Sequence, residues 1–387
     1  MRLPVAALVA LIALLGGPAV AEPRPDLSEE AIFGSVEAFR IESVRLRFTH
    51  IDQDGRGFQS QAQRRSLIDP GRETITVEQP QLEVIATQGK FTHRFYVPVD
   101  IVTAASPDAT DVMTSASRMQ EAGTLEVSSR YRRDKHSELG FRAAFHLEEN
   151  FRSWLLGLSG ARSFAEDNTT LSFGINQVVD WLDRYNFRGE RDGRSYRSTT
   201  NVNLGLVQLL SPTTVASLTY GGTVQIGELS NTWNALPQIN GELVNERLPH
   251  LRHRHAAMAR LAQSIPIGMV MKLSYRFYAD SWRAVAHTFE AELYQHITRF
   301  AWVRLNWRLH QQSKVGFWTS AARRDAEFAT GDSDLASFVA QTWGGMLALD
   351  LPAGRLKQLH LDLGYDRYQR TNGLWANLYT CALGLRF

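Results

Sequence analysis

The chain has 387 residues, with 42 lysines and arginines against 40 acids, and the formal net charge of +2 leaves no basic surplus of the kind a nucleic-acid partner needs. Cys381 is the single cysteine, which excludes an intrachain disulfide, a cysteine-based zinc site and a CxxCH haem attachment.

The chain opens with Arg2, runs apolar from Val5 to Leu15, breaks at Gly16, Gly17 and Pro18, and offers Ala19-Val20-Ala21 before Glu22. That layout predicts a secretory signal peptide over residues 1–21, cleaved after Ala21, with residues 22–35 as a short periplasmic lead-in. The apolar run is too short to cross a bilayer as a helix, and no later stretch reaches the roughly 18 unbroken apolar residues such a helix needs. No cysteine stands at the cleavage point to carry a lipid anchor.

From about residue 36 onward, apolar residues recur at every second position in segments of roughly 9 to 13, separated by Gly, Pro, Asn, Asp and Ser. Soluble strands are usually about 5 or 6 residues, whereas tilted membrane strands need about 9 to 11. Strands are predicted near 39–52, 73–87, 91–102, 124–132, 137–148, 152–163, 168–182 and 198–210. Eight more follow near 214–228, 251–264, 268–279, 284–296, 299–311, 337–350, 356–369 and 374–387. The expected fold is therefore all-β, an antiparallel transmembrane β-barrel occupying residues 36–387, of about 16 strands (roughly 14 to 18).

Connection lengths alternate as such a barrel requires, with short periplasmic turns and long extracellular loops. Tight turns fall at Ser211 to Pro212, Pro266 to Ile267, Ile297 to Thr298 and Pro352 to Gly354. Long connections are expected at Gly55 to Arg72, Thr103 to Gly123, Arg184 to Arg197, Leu229 to His250 and Ser313 to Ala336. Aromatic residues near strand ends, Trp154, Trp181, Tyr220, Tyr278, Trp282, Trp343, Tyr368 and Trp375, suit interfacial girdles.

Along the later strands charge keeps to one face. Met271, Leu273, Tyr275 and Phe277 oppose Lys272, Ser274 and Arg276. Val303, Leu305, Trp307 and Leu309 oppose Arg304, Asn306, Arg308 and His310, and Leu359, Leu361, Leu363 and Tyr365 oppose His360, Asp362, Gly364 and Asp366. The predicted inward face thus carries Lys272, Arg276, Glu290, Glu292, Arg304, Arg308, Asp362 and Asp366. These charges either line a hydrated pore or pair across the lumen and fill it. The last strand sets Tyr379, Cys381, Leu383, Leu385 and Phe387 on one face, the pattern of the signal read by the barrel-insertion machinery in precursors bound for outer-membrane lipid.

Three further motifs carry less. Asp52-Gln53-Asp54-Gly55-Arg56-Gly57 starts like a calcium loop but lacks the later ligand and glycine, so a hairpin turn is the favoured reading. His250, His253 and His255 gather where a long loop re-enters the barrel; His253 and His255 share a strand face, but no carboxylate lies nearby in sequence to complete a metal site. Ser, His and Asp are abundant without distinctive spacing, so no catalytic set is named, no cofactor is expected, and the chain does not read as an enzyme.

Several stretches are similar to the bacterial outer-membrane family catalogued as domain of unknown function 3570. They are Val97-Pro98-Val99-Asp100-Ile101-Val102-Thr103-Ala104-Ala105-Ser106-Pro107-Asp108, Asn168-Thr169-Thr170-Leu171-Ser172-Phe173-Gly174, Ser274-Tyr275-Arg276-Phe277-Tyr278-Ala279-Asp280-Ser281-Trp282 and Ala286-His287-Thr288. The resemblance covers most of the chain beyond the leader. It implies an outer-membrane protein without an assigned activity, and a link to envelope redox or metal handling through exported thioredoxin-like or flavin-attaching neighbours. Two functions are carried forward: a porin-like channel with a charged lumen, and a non-conducting scaffold docking a periplasmic or surface redox partner. An outer-membrane hydrolase is a distant third.

Overall fold

The structure is a computed structural model that describes residues 38–55, 74–104, 119–186, 190–230, 235–240, 242–354 and 356–387. The expected signal peptide and lead-in lie outside the described residues, as do most of the expected loops at 55–72 and 103–123. The chain divides into Met1–Ala38 and Phe39–Phe387, and only the second is described beyond its boundary residue.

Sixteen long strands form one closed antiparallel barrel. They are β1 (Arg40–Asp54), β2 (Ile75–Gln88), β3 (Phe91–Ala104), β4 (Met119–Arg132), β5 (Ser137–Glu148), β6 (Phe151–Phe164), β7 (Thr169–Tyr185), β8 (Arg191–Ser211) and β9 (Thr214–Gly227). After two short loop strands, β10 (Ala235–Pro237) and β11 (Leu243–Asn245), come β12 (Leu251–Ile265), β13 (Met269–Asp280), β14 (Val285–His296) and β15 (Ala301–Gln312). The last three are β16 (Phe338–Ala353), β17 (Leu356–Arg370) and β18 (Trp375–Arg386). Closure is made by β1 on β18, in register from Ser43 opposite Arg386 to Asp54 opposite Trp375.

The alternation explains the closure. Outward positions such as Leu125, Phe141, Leu158, Phe173, Leu305 and Leu363 are about half exposed, at 48 to 61 %. Leaving that many large apolar side chains in water would cost about 1.5–3 kcal/mol each, whereas lipid accepts them. A bilayer in turn accepts strands only when every backbone group is paired, which closure achieves. The barrel is a transmembrane one.

Seven short connections, at 89–90, 133–136, 165–168, 212–213, 266–268, 297–300 and between β16 and β17, share one rim with the start of β1 and the end of β18. The long connections 228–250 and 313–337 stand on the other rim.

Two expectations about elements are corrected. The stretch 184–197 is not a long loop, because β7 and β8 run on and leave only 186–190 between them. β8 has 21 residues, about 70 Å of strand, about twice what a membrane strand needs. Beyond the lipid both faces are wet, so apolar alternation disappears while pairing continues, held by Arg191 to Asp183 at 2.6 Å and Arg184 to Asp192 at 2.7 Å. β4 likewise begins at Met119 rather than near 124.

The aromatic expectation holds in part. Trp154, Trp181, Tyr220 and Trp343 face outward and are exposed, and Trp375 lies on the outward side of β18 under the Arg367 guanidinium, 4.1 Å from its ring. Tyr278, Tyr368 and Trp282 do not join a girdle. Tyr278 and Tyr368 occupy the inward parity of their strands, and Trp282, in the 281–284 connection, is buried beneath loops and donates its indole N–H to Leu251 O at 3.0 Å.

Candidate functional site

The inward face of β5 to β12 is nearly without side chains along one row. Gly140, Ser159, Gly174, Asn203, Gly221 and Ala256 stand opposite one another on six neighbouring strands. The rows beside it add Gly157, Asn176 and Asn201, and Ser172, Gly205 and Thr219. Small and amide side chains leave the wall hollow but hydrated, and a cavity of about 750 Å³ lies against it. Arg130, Arg142, Glu138 and Arg276 border that cavity.

The opposite half of the mouth is covered. Loop 228–250 packs on loop 313–337: Leu248, Trp282, Ala284 and Val315 form one apolar cluster and Leu236, Ala322 and Ala329 another. Arg247 and Ala329 exchange backbone hydrogen bonds at 3.0 and 2.9 Å, and the buried Thr330 hydroxyl donates to Glu246 at 2.7 Å. The second loop then reaches inward-facing side chains of the wall. Arg370 of β17 meets Asp334 at 2.6 Å, and Gln312 of β15 donates to the carbonyls of Asp334 and Ala336 at 2.7 and 2.8 Å. Beneath them the fully buried Asp280 carboxylate accepts from Arg252 at 2.5 Å and Tyr278 at 2.8 Å. The loop therefore lies over the lumen beside β15–β17 rather than standing away from it.

Within this loop, Asp332 caps the short 3-10 turn Ser333–Leu335 by accepting the Asp334 N–H at 2.8 Å. Burial, and next the neighbouring Asp334, push its carboxyl up to about 6, against the pull of that hydrogen bond and of Arg370 and Arg252.

All eight predicted lumen charges sit at inward positions. Lys272 faces Glu292 across β13 and β14, and Glu290 faces Arg308 across β14 and β15, yet among the described residues no ion pair within 4 Å joins any two of the eight. Lys272 instead lies 4.1 Å from the Tyr294 ring, and Asp366 accepts from Asn306 at 2.7 Å. Arg276 borders the open cavity. Only Asp362 is in an ion pair with an arginine, Arg45 of β1, and the His360 ring lies 2.7 Å from its other oxygen.

A charge network that the sequence analysis does not single out lies on β2 to β5. Arg94 bridges Glu83 at 3.3 Å and Glu126 at 3.0 Å, and Arg142 meets Glu126 from the other side at 2.5 Å. Its signal was present in sequence, since Glu83 stands between Leu82 and Val84 and Glu126 between Leu125 and Val127, the alternation that marks the later strands.

Neither the histidines at 250–255 nor the Asp52–Gly57 stretch gathers a metal site among the described residues. His255 bonds Tyr220 at 2.7 Å, His250 bonds Gly227 O at 3.0 Å, and among the described residues no group of three metal-ligating side chains gathers. Arg56 and Gly57 lie outside the described residues. Asp52 and Asp54 lie in β1, Asp54 accepts from Gly55 N–H at 2.7 Å, and Gly55 has φ +104° with a would-be Cβ 2.1 Å from Gly373 O; the remainder of the expected turn lies outside the described residues, and β2 begins only at Ile75. On the outer face His93 lies 2.8 Å from Ser129 Oγ, but among the described residues no carboxylate reaches His93 to orient it as a base. Tyr379, Cys381, Leu383 and Phe387 are exposed on the outward face with Leu385 on the same side, opposite His50, Phe48, Leu46 and Val44 for the four in β18.

The sequence pattern of a family described as "Protein of unknown function (DUF3570)" matches residues 97–380. No curated protein matches. Among solved structures, a BenF-like porin from Pseudomonas fluorescens Pf-5 is similar at 8 % identity over 92 % of this chain and 100 % of that one, with a TM-score of 0.45. The outer membrane protein opdK from Pseudomonas aeruginosa gives 7 %, 89 %, 98 % and 0.44. The siderophore receptor PirA from Acinetobacter baumannii gives 8 %, 85 %, 53 % and 0.46.

Proposed function

This chain belongs to the DUF3570 family, whose description assigns no activity, and we propose that it serves as a porin-like passage for small polar solutes across the outer membrane. The observation that carries this reading is the cavity of about 750 Å³ against the hollow β5–β12 wall. Two features support it. The glycine, serine and asparagine row removes bulk where a filled barrel would place large side chains. The opposed charges Lys272 and Glu292, and Glu290 and Arg308, stay apart, as hydrated groups do, rather than closing into the salt-bridged filling that a sealed lumen needs.

The passage is eccentric. Loops 228–250 and 313–337 cover the β12–β17 side, so solute moves along the β5–β9 wall. The deciding measurement is single-channel conductance of the detergent-folded protein in a planar bilayer. Stable current steps are expected; a folded barrel that stays silent would sink the passage and turn attention to the scaffold reading, with its periplasmic or surface partner.

A further inference from the structure

We propose that a pocket on the β1–β3 wall is a binding step for the carboxylate group of a small organic acid. The proposal rests on the passage reading for its place in transport, but the site itself is defined by its own groups. Arg45, Arg47, Gln81, Glu83, Arg94 and Tyr96 enclose a recess of about 90 Å³. That is room for about three waters, or for one carboxylate group whose remaining atoms extend into the lumen.

Nearly every polar group around the recess is already matched. Arg45 is held by Asp362, and Arg94 is held by Glu83 and Glu126 while lying 4.5 Å from the Tyr96 ring. The Tyr96 hydroxyl donates to Gln81 at 3.0 Å, and the Gln81 amide donates to Gln79 at 2.7 Å. Arg47 is the exception. Among the described residues it is the lining cation with no carboxylate within 4 Å, and the Nε–H groups of both Arg47 and Arg45 are buried without an acceptor.

An unmet buried donor costs about 1–3 kcal/mol, more when charged. Water would satisfy the donors but leave the charge uncompensated; a bound anion satisfies both. A guanidinium presents parallel N–H donors that match the two oxygens of a carboxylate. Glu83 lines the same recess, which disfavours an anion of more than one charge and leaves a monocarboxylate as the best match to one uncompensated arginine.

The test is calorimetric titration of the purified, detergent-folded full chain with sodium acetate at fixed ionic strength, with sodium phosphate and sodium chloride as the other arms. Saturable acetate binding is expected, tighter than phosphate or chloride, and weakened about tenfold or more in Arg47→Gln with partial recovery in Arg47→Lys. No saturable acetate binding by the unaltered protein overturns the site, whether or not the variants fold. Equal affinity in a folded Arg47→Gln also overturns it, and tighter phosphate binding overturns the carboxylate assignment. Conductance on the same preparation separates the two proposals: a silent barrel that binds acetate through Arg47 loses the passage and keeps the site, while a conducting barrel without acetate binding loses only the site.

Discussion

Arg45 of β1 and Asp362 of β17 form an ion pair across the strand that lies between them, passing over Ala382 and Gly384 of β18. The two small residues leave the space, and the pair ties the first strand to the second-last across the closing seam. Asp362 is only 2 % exposed, and the Arg45 guanidinium and the His360 ring, 2.7 Å away, are the basic groups that reach it among the described residues.

Removing Arg45 should therefore cost more than a surface pair would. Arg45→Gln is expected to lower unfolding stability in lipid vesicles by about 3 kcal/mol, because it strands a buried carboxylate, and Arg45→Gln with Asp362→Asn should recover part of the loss. Urea titration followed by tryptophan fluorescence reads both. A single variant as stable as the parent would show that the seam does not rely on the pair.

Filling the hollow wall should narrow the passage. At Gly174 an added Cβ meets nothing nearer than 3.7 Å, so Gly174→Trp is expected to fold with its ring in the lumen. Single-channel conductance should fall by about half or more. Unchanged conductance would place the ion path elsewhere.

Ion preference should follow the arginines that lack carboxylate partners. Neutralising Arg276, Arg304 and Arg308 together is expected to move the reversal potential in a salt gradient toward cation preference, more strongly at low ionic strength. If the reversal potential does not move, these side chains are away from the conducting path.

Loop 313–337 should respond to pH through Asp332. Its carboxyl sits at about 6 in the folded protein against 3.8 as the ordinary value, so the folded loop binds the proton more tightly than the unfolded one. A penalty of at most about 3 kcal/mol is thus present above pH 6, is relieved as pH falls through 6 toward 3.8, and is absent below that. Asp332→Asn keeps an acceptor for the Asp334 N–H and is expected to protect the loop from proteolysis at pH 8 while changing nothing at pH 4. Protection at both values, or at neither, would contradict this assignment.

Much of the barrel was legible in the sequence because membrane strands have two unlike faces. The predicted strand 137–148 is β5 to the residue, and the inward parity of Lys272, Glu292, Arg304 and Asp362 followed from their apolar neighbours. Alternation failed where lipid ends: Arg191 to Arg197 reads as loop, yet pairs on as strand because both of its faces meet water. Tyr278, Trp282 and Tyr368 were misjudged for a related reason, since an aromatic near a strand end suits lipid interface and loop core equally well.

The sequence by itself thus determined the architecture, the membrane-spanning core of each strand and which side chains face inward, since those follow from a local period of two set by lipid on one side and water on the other. Only the tertiary structure decided which lumen charges meet. Arg45 and Asp362 are 317 positions apart and neighbours through closure alone. The loops' inward turn onto Gln312 and Arg370, and the isolation of Arg47, likewise depend on which strands the closed circle brings opposite each other, a property of the whole ring that no single segment carries.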